Sequence, residues 1–367
     1  MVNQRTENDR RALIIGVTGI QGGALLDHLS GRGWEVYGVS RRPPTNDARF
    51  TPVAVDLLDP ASTADSLGAI EPSHVFFTAW TRRDSEAENI EANGAMLRNA
   101  LTALTGGQAP KHVALTTGLK HYLGPFEAYA QTEPDSPFRE DHERLPFENF
   151  YYEQEDILWE FADGAGFTWS VHRPHTVIGW AIGNAMNMGV TLAVYAAICK
   201  ETGRPFVFPG SPEQYNAVTD ITDARILASH LEWAAATPEA ANEALNIVNG
   251  DQFRWRRMWK VVAEGLGVEA SDYPGHPTPL VEQMSDAAPI WDRITEKYDL
   301  IPNPVDRLAS WWHSDADLGR TIETFTDMTK SRMLGFTDYQ ATERSFLDLF
   351  DRLRAERIIP PTTEATS

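Results

Sequence analysis

A lysine and a tyrosine in the first half of this chain have the residue types needed to stabilise negative charge on an oxygen atom. Lys120 follows an apolar run that ends at Thr116, and Tyr152 lies 32 residues after Lys120, at the start of a predicted helix. An acidic hydroxyl backed by a cation stabilises the charge that develops on oxygen when a hydride adds to a conjugated carbonyl compound. The spacing allows the two side chains to meet in the folded chain, although either one alone could be structural.

Three glycines near the amino terminus have the spacing of a phosphate-binding turn. Gly16, Gly19 and Gly22 follow the apolar run 12–15 and open a segment with helical periodicity. Glycines at these places let backbone N–H groups at a helix start approach a pyrophosphate without interference from a Cβ atom. Glycine spacing alone is weak evidence, and the order strand, turn, helix and strand supplies the rest. The predicted dinucleotide site also includes the neighbouring residues Thr18, Ile20 and Gln21.

A pair of arginines follows the second predicted strand, 35–39. Ser40, Arg41 and Arg42 lie roughly 20 residues after the glycine turn, where an NAD enzyme carries Asp or Glu to bind the ribose 2′-hydroxyl. Guanidinium groups suit a 2′-phosphate instead, because they form charge-assisted bidentate hydrogen bonds. The pair predicts NADPH as the cofactor, and two arginines on a solvated turn are the alternative interpretation.

The elements that must position these residues are short apolar runs separated by helical or loop segments. Besides 12–15 and 35–39, strands are predicted at 53–55, 75–78, 113–116 and 169–171. This alternation predicts an α/β fold, a Rossmann-type doubly wound parallel sheet with a smaller, mainly helical cap for the substrate in the second half. The predicted units are a disordered amino terminus (1–11), a nucleotide-binding domain (12–180, with a later contribution around 216–250), a cap (181–215 and 251–359) and a disordered tail (360–367).

Ligands of such sheets bind at the carboxyl ends of the strands, so the residues after each run are candidates for the site. These candidates are the segments 56–57, 78–80, 116–118 and 172–174, which contain Asp56, Leu57, Thr78, Ala79, Trp80, Thr116, Thr117, Gly118, His172, Arg173 and Pro174. Asp56 suits the adenine amino group, with a role in a turn as the equally good alternative. The irregular segment 121–150 is expected to line a pocket. Asn149 is the predicted N-cap of the helix whose first turn contains Tyr152.

The composition limits the classes of partner. The chain of 367 residues contains 32 Lys and Arg against 52 Asp and Glu, a formal net charge of -20. Such a surface repels polyanions, so we expect no binding to nucleic acid or to an anionic membrane. The single cysteine, Cys199, excludes an intrachain disulfide and a multi-thiolate metal site, and no metal is predicted. The polar start of the chain and the lack of a run of about 18 apolar residues favour a cytoplasmic protein.

Two segments, 119–127 and 149–156, resemble signature segments of the progesterone 5β-reductase/iridoid synthase-like enzymes, which are atypical extended short-chain dehydrogenases/reductases. The resemblance continues through 170–174, 194–200 and 249–255. It implies an NADPH-dependent reductase that saturates the C=C bond of an enone or enal by 1,4-addition of hydride. Implied substrates are steroid-like or terpenoid-like compounds or small cyclic enones. Ordinary members of the superfamily keep a lysine four residues after the catalytic tyrosine, where this chain has Asp156, so the resemblance assigns that role to Lys120.

The resemblance also implies individual contacts. Besides Lys120 and Tyr152, the matching cofactor residues are Thr18, Gly19, Ile20, Arg41, Arg42, Asp56, Leu57, Ala79, Thr116, Val177, Ala185, Met186 and Asn187. The matching substrate residues are Trp80, Phe126, Tyr129 and Met333.

Other functions remain open on the same fold. A 1,2-carbonyl reductase and a sugar-nucleotide epimerase are the rival enzymes, because the site and not the scaffold determines the reaction. An NADPH-binding sensor without catalytic activity is the rival from another class. The displaced lysine argues against the first two, and the pairing of Tyr152 with Lys120 argues against the third. The sequence does not determine the oligomeric state, and a homodimer is one arrangement that it allows.

Overall fold

The computed structural model describes residues 10–125, 134–184 and 186–362. Its central feature is a sheet of seven parallel strands in the order β3-β2-β1-β4-β5-β6-β9. The strands of this sheet are β1 (Arg11–Ile15), β2 (Glu35–Ser40), β3 (Thr51–Ala54), β4 (His74–Phe77), β5 (His112–Thr116), β6 (Thr168–Pro174) and β9 (Glu243–Ile247). The short strands β7 (Val177–Ile178) and β8 (Thr222–Asp223) pair with each other. The predicted Rossmann-type parallel sheet is confirmed.

Helices cover both faces of the sheet and make up most of the second half of the chain, which also contains β8 and β9. In chain order they are α1 (Ile20–Leu29), α2 (Pro60–Leu67), α3 (Glu86–Thr105), α4 (Lys120–Leu123), α5 (Phe150–Ala165), α6 (Met188–Thr202), α7 (Pro212–Asn216), α8 (Ala224–Ala236), α9 (Trp255–Leu266), α10 (Leu280–Gln283), α11 (Ala287–Lys297), α12 (Val305–Leu308), α13 (Trp311–Leu318), α14 (Thr329–Met333) and α15 (Thr342–Ala355).

Three apolar clusters hold these layers together. One cluster joins the sheet to α1 and α8, and a second joins the opposite face to α2, α3 and α5. The third is the core of the helical second half and includes the buried Trp255, Trp259 and Trp291. Met328 and Phe336 belong to the first cluster, so a part of the segment 251–359 packs on the sheet and not in the cap.

Local signals explain the two helices that border the site. Ser85 and Glu88 form a capping box at the start of α3, in which each side chain accepts a hydrogen bond from the backbone N–H of the other residue. Asn149 caps α5, as the sequence predicts, and Gly166 ends that helix in the left-handed conformation with φ 76°. These caps fix the ends of α3 and α5, which pack side by side on one face of the sheet.

The structure differs from the sequence prediction at a few boundaries. β3 begins two residues before the predicted 53–55, and β9 has no counterpart among the predicted strands. Arg11 is the first residue of β1, and Lys200 donates a hydrogen bond of 2.7 Å to the Thr362 carbonyl, although 1–11 and 360–367 are predicted to be disordered. Residues 1–9 and 363–367 lie outside the described residues.

A helix that spans a membrane needs about 20 consecutive, mostly apolar residues. Within the described ranges, none of the helices is both long enough and apolar enough to cross a bilayer.

Candidate active site

The turn between β1 and α1 is closed as tightly as the glycine spacing predicts. Gly16 has a φ of 95°, and the N–H of Gly19 donates to the Gly16 carbonyl at 2.9 Å. A Cβ atom at Gly22 would overlap that same carbonyl. The turn therefore needs glycine at both ends, and it delivers the N-terminus of α1 to the edge of the sheet formed by the carboxyl ends of the strands, hereafter the carboxyl edge.

Three buried polar atoms along the carboxyl edge have no hydrogen-bond partner within the described part of the chain. They are Oε1 of Gln21 at the start of α1, Oγ of Ser40 at the end of β2 and Oγ1 of Thr116 at the end of β5. Buried polar atoms are normally paired, so atoms of this kind suit a polar ligand that lies along the edge. The residues present thus fit the phosphate and ribose groups of a dinucleotide.

Four other predicted cofactor residues lie just after the carboxyl ends of β2, β3 and β4. Arg41 and Arg42 are exposed directly after β2. The exposed carboxylate of Asp56 accepts a hydrogen bond of 3.1 Å from the Leu58 N–H, as a residue that forms a turn would. Thr78 donates its hydroxyl proton to the Ile15 carbonyl at 2.8 Å and so joins β4 to β1.

In the segment after β6, the buried Asn187 caps α6 and donates to the Gly179 carbonyl at 2.7 Å. Pro174 is buried, and Val177 and Met186 are partly buried. Ala185, Phe126 and Tyr129 lie outside the described residues.

Lys120 is the first residue of the one-turn helix α4 and is 7 % exposed. Its ammonium group lies 4.0 Å from a carboxylate oxygen of Glu86 and 5.0 Å from the centre of the Phe150 ring. A buried cation needs such partners, since removing an ion from water is costly. Glu86 also accepts a hydrogen bond of 2.8 Å from the Phe150 N–H, so the starts of α3, α4 and α5 meet around this charge.

Tyr152, the predicted catalytic tyrosine, has its hydroxyl occupied by the backbone. The hydroxyl donates to the His121 carbonyl at 2.5 Å and accepts from the Leu145 N–H at 3.0 Å. The side chain is 8 % exposed, and the Arg144 guanidinium covers its ring. Burial raises the pKa of this hydroxyl, which makes it a weaker acid. These contacts do not suit the role that the sequence predicts for Tyr152.

The neighbouring Tyr151 has its hydroxyl at the carboxyl edge. A Cβ atom built at Gly118 would lie 3.3 Å from this hydroxyl and 3.2 Å from the Pro174 carbonyl oxygen. Gly118 follows β5 and Pro174 ends β6, so the Tyr151 hydroxyl lies near two strand ends at this edge. Lys120 is two residues beyond Gly118 in the chain. The tyrosine near the segment that carries Lys120 at this edge is thus the residue before the predicted one.

A buried ionic cluster lies behind Tyr152. The Glu155 carboxylate, which is fully buried, is 2.9 Å from Arg173, 3.1 Å from Arg144 and 3.4 Å from the His121 ring. Burial alone would raise the pKa of Glu155, but the His121 hydrogen bond and the Arg173 charge hold it at about 2. The cluster connects α5 to α4 and to the end of strand β6, where Arg173 lies.

Aromatic side chains flank the site. Trp80, which is 36 % exposed, stacks on Phe150 with ring centres 5.8 Å apart. Arg82, in the same loop after β4, lies over the Trp312 ring of α13 at 3.5 Å. This contact joins the loop to the cap. Trp80 therefore occupies a position consistent with its prediction as a substrate residue.

His313, which follows Trp312, borders the same region. Burial and the positive charges of Arg320, Arg82 and Lys120 lower its pKa, so the imidazole is neutral at pH 7. Its Nδ1 atom is buried and has no hydrogen-bond partner among the residues that the structure describes. Sequence reasoning missed His313, because nothing in the local pattern of the cap predicts which of its residues face the sheet.

Met333 is the remaining predicted substrate residue. It is 82 % exposed at the end of α14. In that helix, Lys330 donates to the Ala244 carbonyl at 2.8 Å, near the amino end of β9. Arg332, next to Met333, donates to the Gly250 carbonyl at 3.4 Å, three residues beyond the carboxyl end of β9. The role of Met333 as a substrate residue stays a prediction.

Fold and site together define a Rossmann-fold protein of the short-chain dehydrogenase/reductase type. Residues 65–360 match the family described as the PRISE-like Rossmann-fold domain, and the chain belongs to this family. The resemblance stated from the sequence segments is therefore confirmed.

Individual relatives agree with this membership. The chain is 42% identical over 361 residues to the (S)-8-oxocitronellyl enol synthase of Nepeta cataria, covering 95% of this chain and 93% of that protein. It is 41% identical over 363 residues to the 3-oxo-Δ(4,5)-steroid 5-β-reductase of Arabidopsis thaliana, with coverage of 95% and 93%. Among solved structures, it is similar to the UDP-glucose 4-epimerase of Thermus thermophilus in complex with NAD, with a TM-score of 0.66, 16% identity and coverage of 94% and 99%. This last likeness shows the fold.

Proposed function

We propose that this protein is an NADPH-dependent enone reductase, which saturates the C=C bond of an α,β-unsaturated ketone or aldehyde. The observation that carries the proposal is the Tyr151 hydroxyl beside Gly118 at the carboxyl edge, close in the chain to the buried cation of Lys120. Two relatives over 40% identical are named for an enol synthase and for a 5-β-reductase of 3-oxo-Δ(4,5)-steroids, and both names fit this chemistry.

The cofactor assignment rests on the glycine turn and on the residues after β2. The turn and the unpaired polar atoms of Gln21, Ser40 and Thr116 suit a dinucleotide. Arg41 and Arg42 are exposed where the 2′-position of the adenosine ribose would lie, and no acidic side chain occupies positions 40–42. Paired guanidinium groups favour a 2′-phosphate and hence NADPH. When bound, this cofactor supplies the hydride.

Tyr151, in place of Tyr152, donates a hydrogen bond to the carbonyl oxygen of the substrate. As hydride adds to the β-carbon, charge builds up on this oxygen, and a preorganised donor stabilises the enolate. The Lys120 ammonium adds a positive charge that favours the same state, and Glu86 and Phe150 hold that ammonium in place. The α-carbon then takes its proton from solvent.

The substrate would bind between the loop after β4 and the cap. Trp80, which stacks on the buried Phe150, offers an exposed aromatic surface there that suits an apolar ring or chain. The neutral imidazole of His313 adds one polar group on the cap side. Steroid-like or terpenoid-like enones and small cyclic enones fit this mixture.

The proposal is tested by incubating the purified protein with 2-cyclohexen-1-one and NADPH carrying deuterium at C4, followed by mass spectrometry and NMR of the product. We expect cyclohexanone with deuterium at the β-carbon, and much slower turnover with NADH. An allylic alcohol with deuterium at the carbonyl carbon would instead establish a 1,2-carbonyl reductase. Tight NADPH binding without turnover of any enone or enal would support the sensor.

A further inference from the structure

The side chain of Asn149 connects the two residues of the proposed site through their backbones. Its Oδ1 atom accepts a hydrogen bond of 3.0 Å from the Tyr151 N–H. Its Nδ2 atom donates one of 2.6 Å to the Lys120 carbonyl. Asn149 is only 2 % exposed, so water does not compete for either bond. A single amide group therefore spans the gap between α4 and α5.

The helix that carries Lys120 depends on such contacts for its position. α4 has only four residues, and an isolated helix of one turn is unstable because nucleation is costly. Two of its carbonyls are bound by side chains from the start of α5: Lys120 by Asn149 and His121 by Tyr152. α4 is thereby attached to the first turn of α5 and follows any shift of that turn.

We propose that Asn149 is a positioning residue that sets the Lys120 ammonium relative to the Tyr151 hydroxyl, an inference that rests on the proposed function. Lys120 belongs to α4 and Tyr151 to α5, so the separation of their side chains depends on how these two helices are joined. The hydrogen bonds to the Tyr151 N–H and to the Lys120 carbonyl both involve the side-chain amide of Asn149. They therefore fix the backbone at Tyr151 relative to the backbone at Lys120. A misplacement of about 1 Å in such a pair costs about 100-fold in rate.

The geometry offers a variant that separates the two bonds of Asn149. Asn149→Ser keeps a good N-cap for α5, because serine caps helices about as well as asparagine. The serine hydroxyl is too short to reach the Lys120 carbonyl while it caps. Asn149→Ala loses both bonds. The difference in unfolding free energy between Asn149→Ser and Asn149→Ala gives the contribution of the helix N-cap alone. Asn303→Ser is a matched control. Asn303 is a buried asparagine in the helical second half of the chain, and its Nδ2 also donates to a backbone carbonyl.

For Asn149→Ser we expect kcat with 2-cyclohexen-1-one to fall about 10- to 100-fold, with the KM of the enone and the Kd of NADPH changed less than about threefold. Hydrogen exchange followed by mass spectrometry should show faster exchange at 120–124, while α5 stays protected. Asn303→Ser should change neither kcat nor exchange in this segment.

Unchanged kcat in Asn149→Ser would overturn the inference, and so would an equal loss in Asn303→Ser, which would indicate general destabilisation. Wild-type protein that reduces no enone would refute the proposed function separately. In that case hydrogen exchange still decides about the attachment of α4, and unchanged exchange at 120–124 would overturn it.

Discussion

The two sides of the first turn of α5 differ sharply although their tyrosines are neighbours in the chain. Tyr151 has its hydroxyl at the carboxyl edge beside Gly118. The Tyr152 hydroxyl lies between the His121 carbonyl and the Leu145 N–H, in front of the Glu155 cluster. Successive helical residues point about 100° apart, so one turn presents one phenol to the site and buries the other. In the proposed function, the same residue type acts as a reagent on one side and as a structural anchor on the other.

The largest effect is expected for removing the hydroxyl of Tyr151, which faces the proposed site. Tyr151→Phe should lower kcat about 100- to 1000-fold, because it removes the donor that stabilises the enolate. The free energy of unfolding in urea should fall less than for Tyr152→Phe, because the Tyr152 hydroxyl holds two backbone groups. Steady-state kinetics with 2-cyclohexen-1-one and NADPH give the rate, and Tyr152→Phe is the matched variant, expected to lose less activity than Tyr151→Phe because it only loosens the attachment of α4. A reversed order of the two losses would return the catalytic role to Tyr152.

A somewhat smaller effect is expected at the cofactor end of the site. Replacing both Arg41 and Arg42 by Ala should lower the preference for NADPH over NADH about 10- to 100-fold, since each charged hydrogen bond contributes about 1.5–3 kcal/mol before solvent screening. The ratio of kcat/KM for the two cofactors measures this. Arg256 and Arg257, exposed on α9, provide a double alanine control with the same loss of charge. If both double variants keep the wild-type ratio, the 2′-phosphate is bound elsewhere.

Removing the Tyr152 hydroxyl, on the buried side of α5, is expected to affect mainly the stability of the fold. Tyr152→Phe leaves the His121 carbonyl and the Leu145 N–H without their buried partner, which should cost about 1–3 kcal/mol of unfolding free energy. Urea denaturation monitored by tryptophan fluorescence measures this loss. Tyr151→Phe serves as the control, which should lose more activity and less stability than Tyr152→Phe. Equal stability of the two variants would remove the structural half of the comparison.

The smallest expected effect is a loss of unfolding free energy at acidic pH. The pKa of Glu155 is about 2 in the folded protein against an ordinary value of 4.5, so its ion pairs stabilise the fold fully above pH 4.5 and lose this contribution as the pH falls towards 2. Between pH 6 and pH 4 the expected loss from this group is less than about 1 kcal/mol. Glu155→Gln should flatten the dependence of unfolding free energy on pH by that amount. An unchanged slope would mean that Glu155 is not the group that titrates.

Much of the fold could be predicted from the sequence, because strands buried on both faces read as apolar runs and glycines mark the nucleotide turn. The cap of α5 by Asn149 was equally accessible, since capping is a local property. The choice between Tyr151 and Tyr152 was not, because a shift of one residue on a helix leaves the spacing to Lys120 almost unchanged. The position of Met333 and the approach of His313 depend on how the cap folds back over the sheet, for which the sequence has no local signal.

A crystal structure of the protein with NADP⁺ and 2-cyclohexen-1-one tests the central claim most directly. The account predicts that the enone oxygen lies about 2.6–3.2 Å from the Tyr151 hydroxyl, with its β-carbon facing the nicotinamide and the Tyr152 hydroxyl still bound to the His121 carbonyl. An enone oxygen bound to the Tyr152 hydroxyl, or placed beyond the reach of Tyr151, would contradict it.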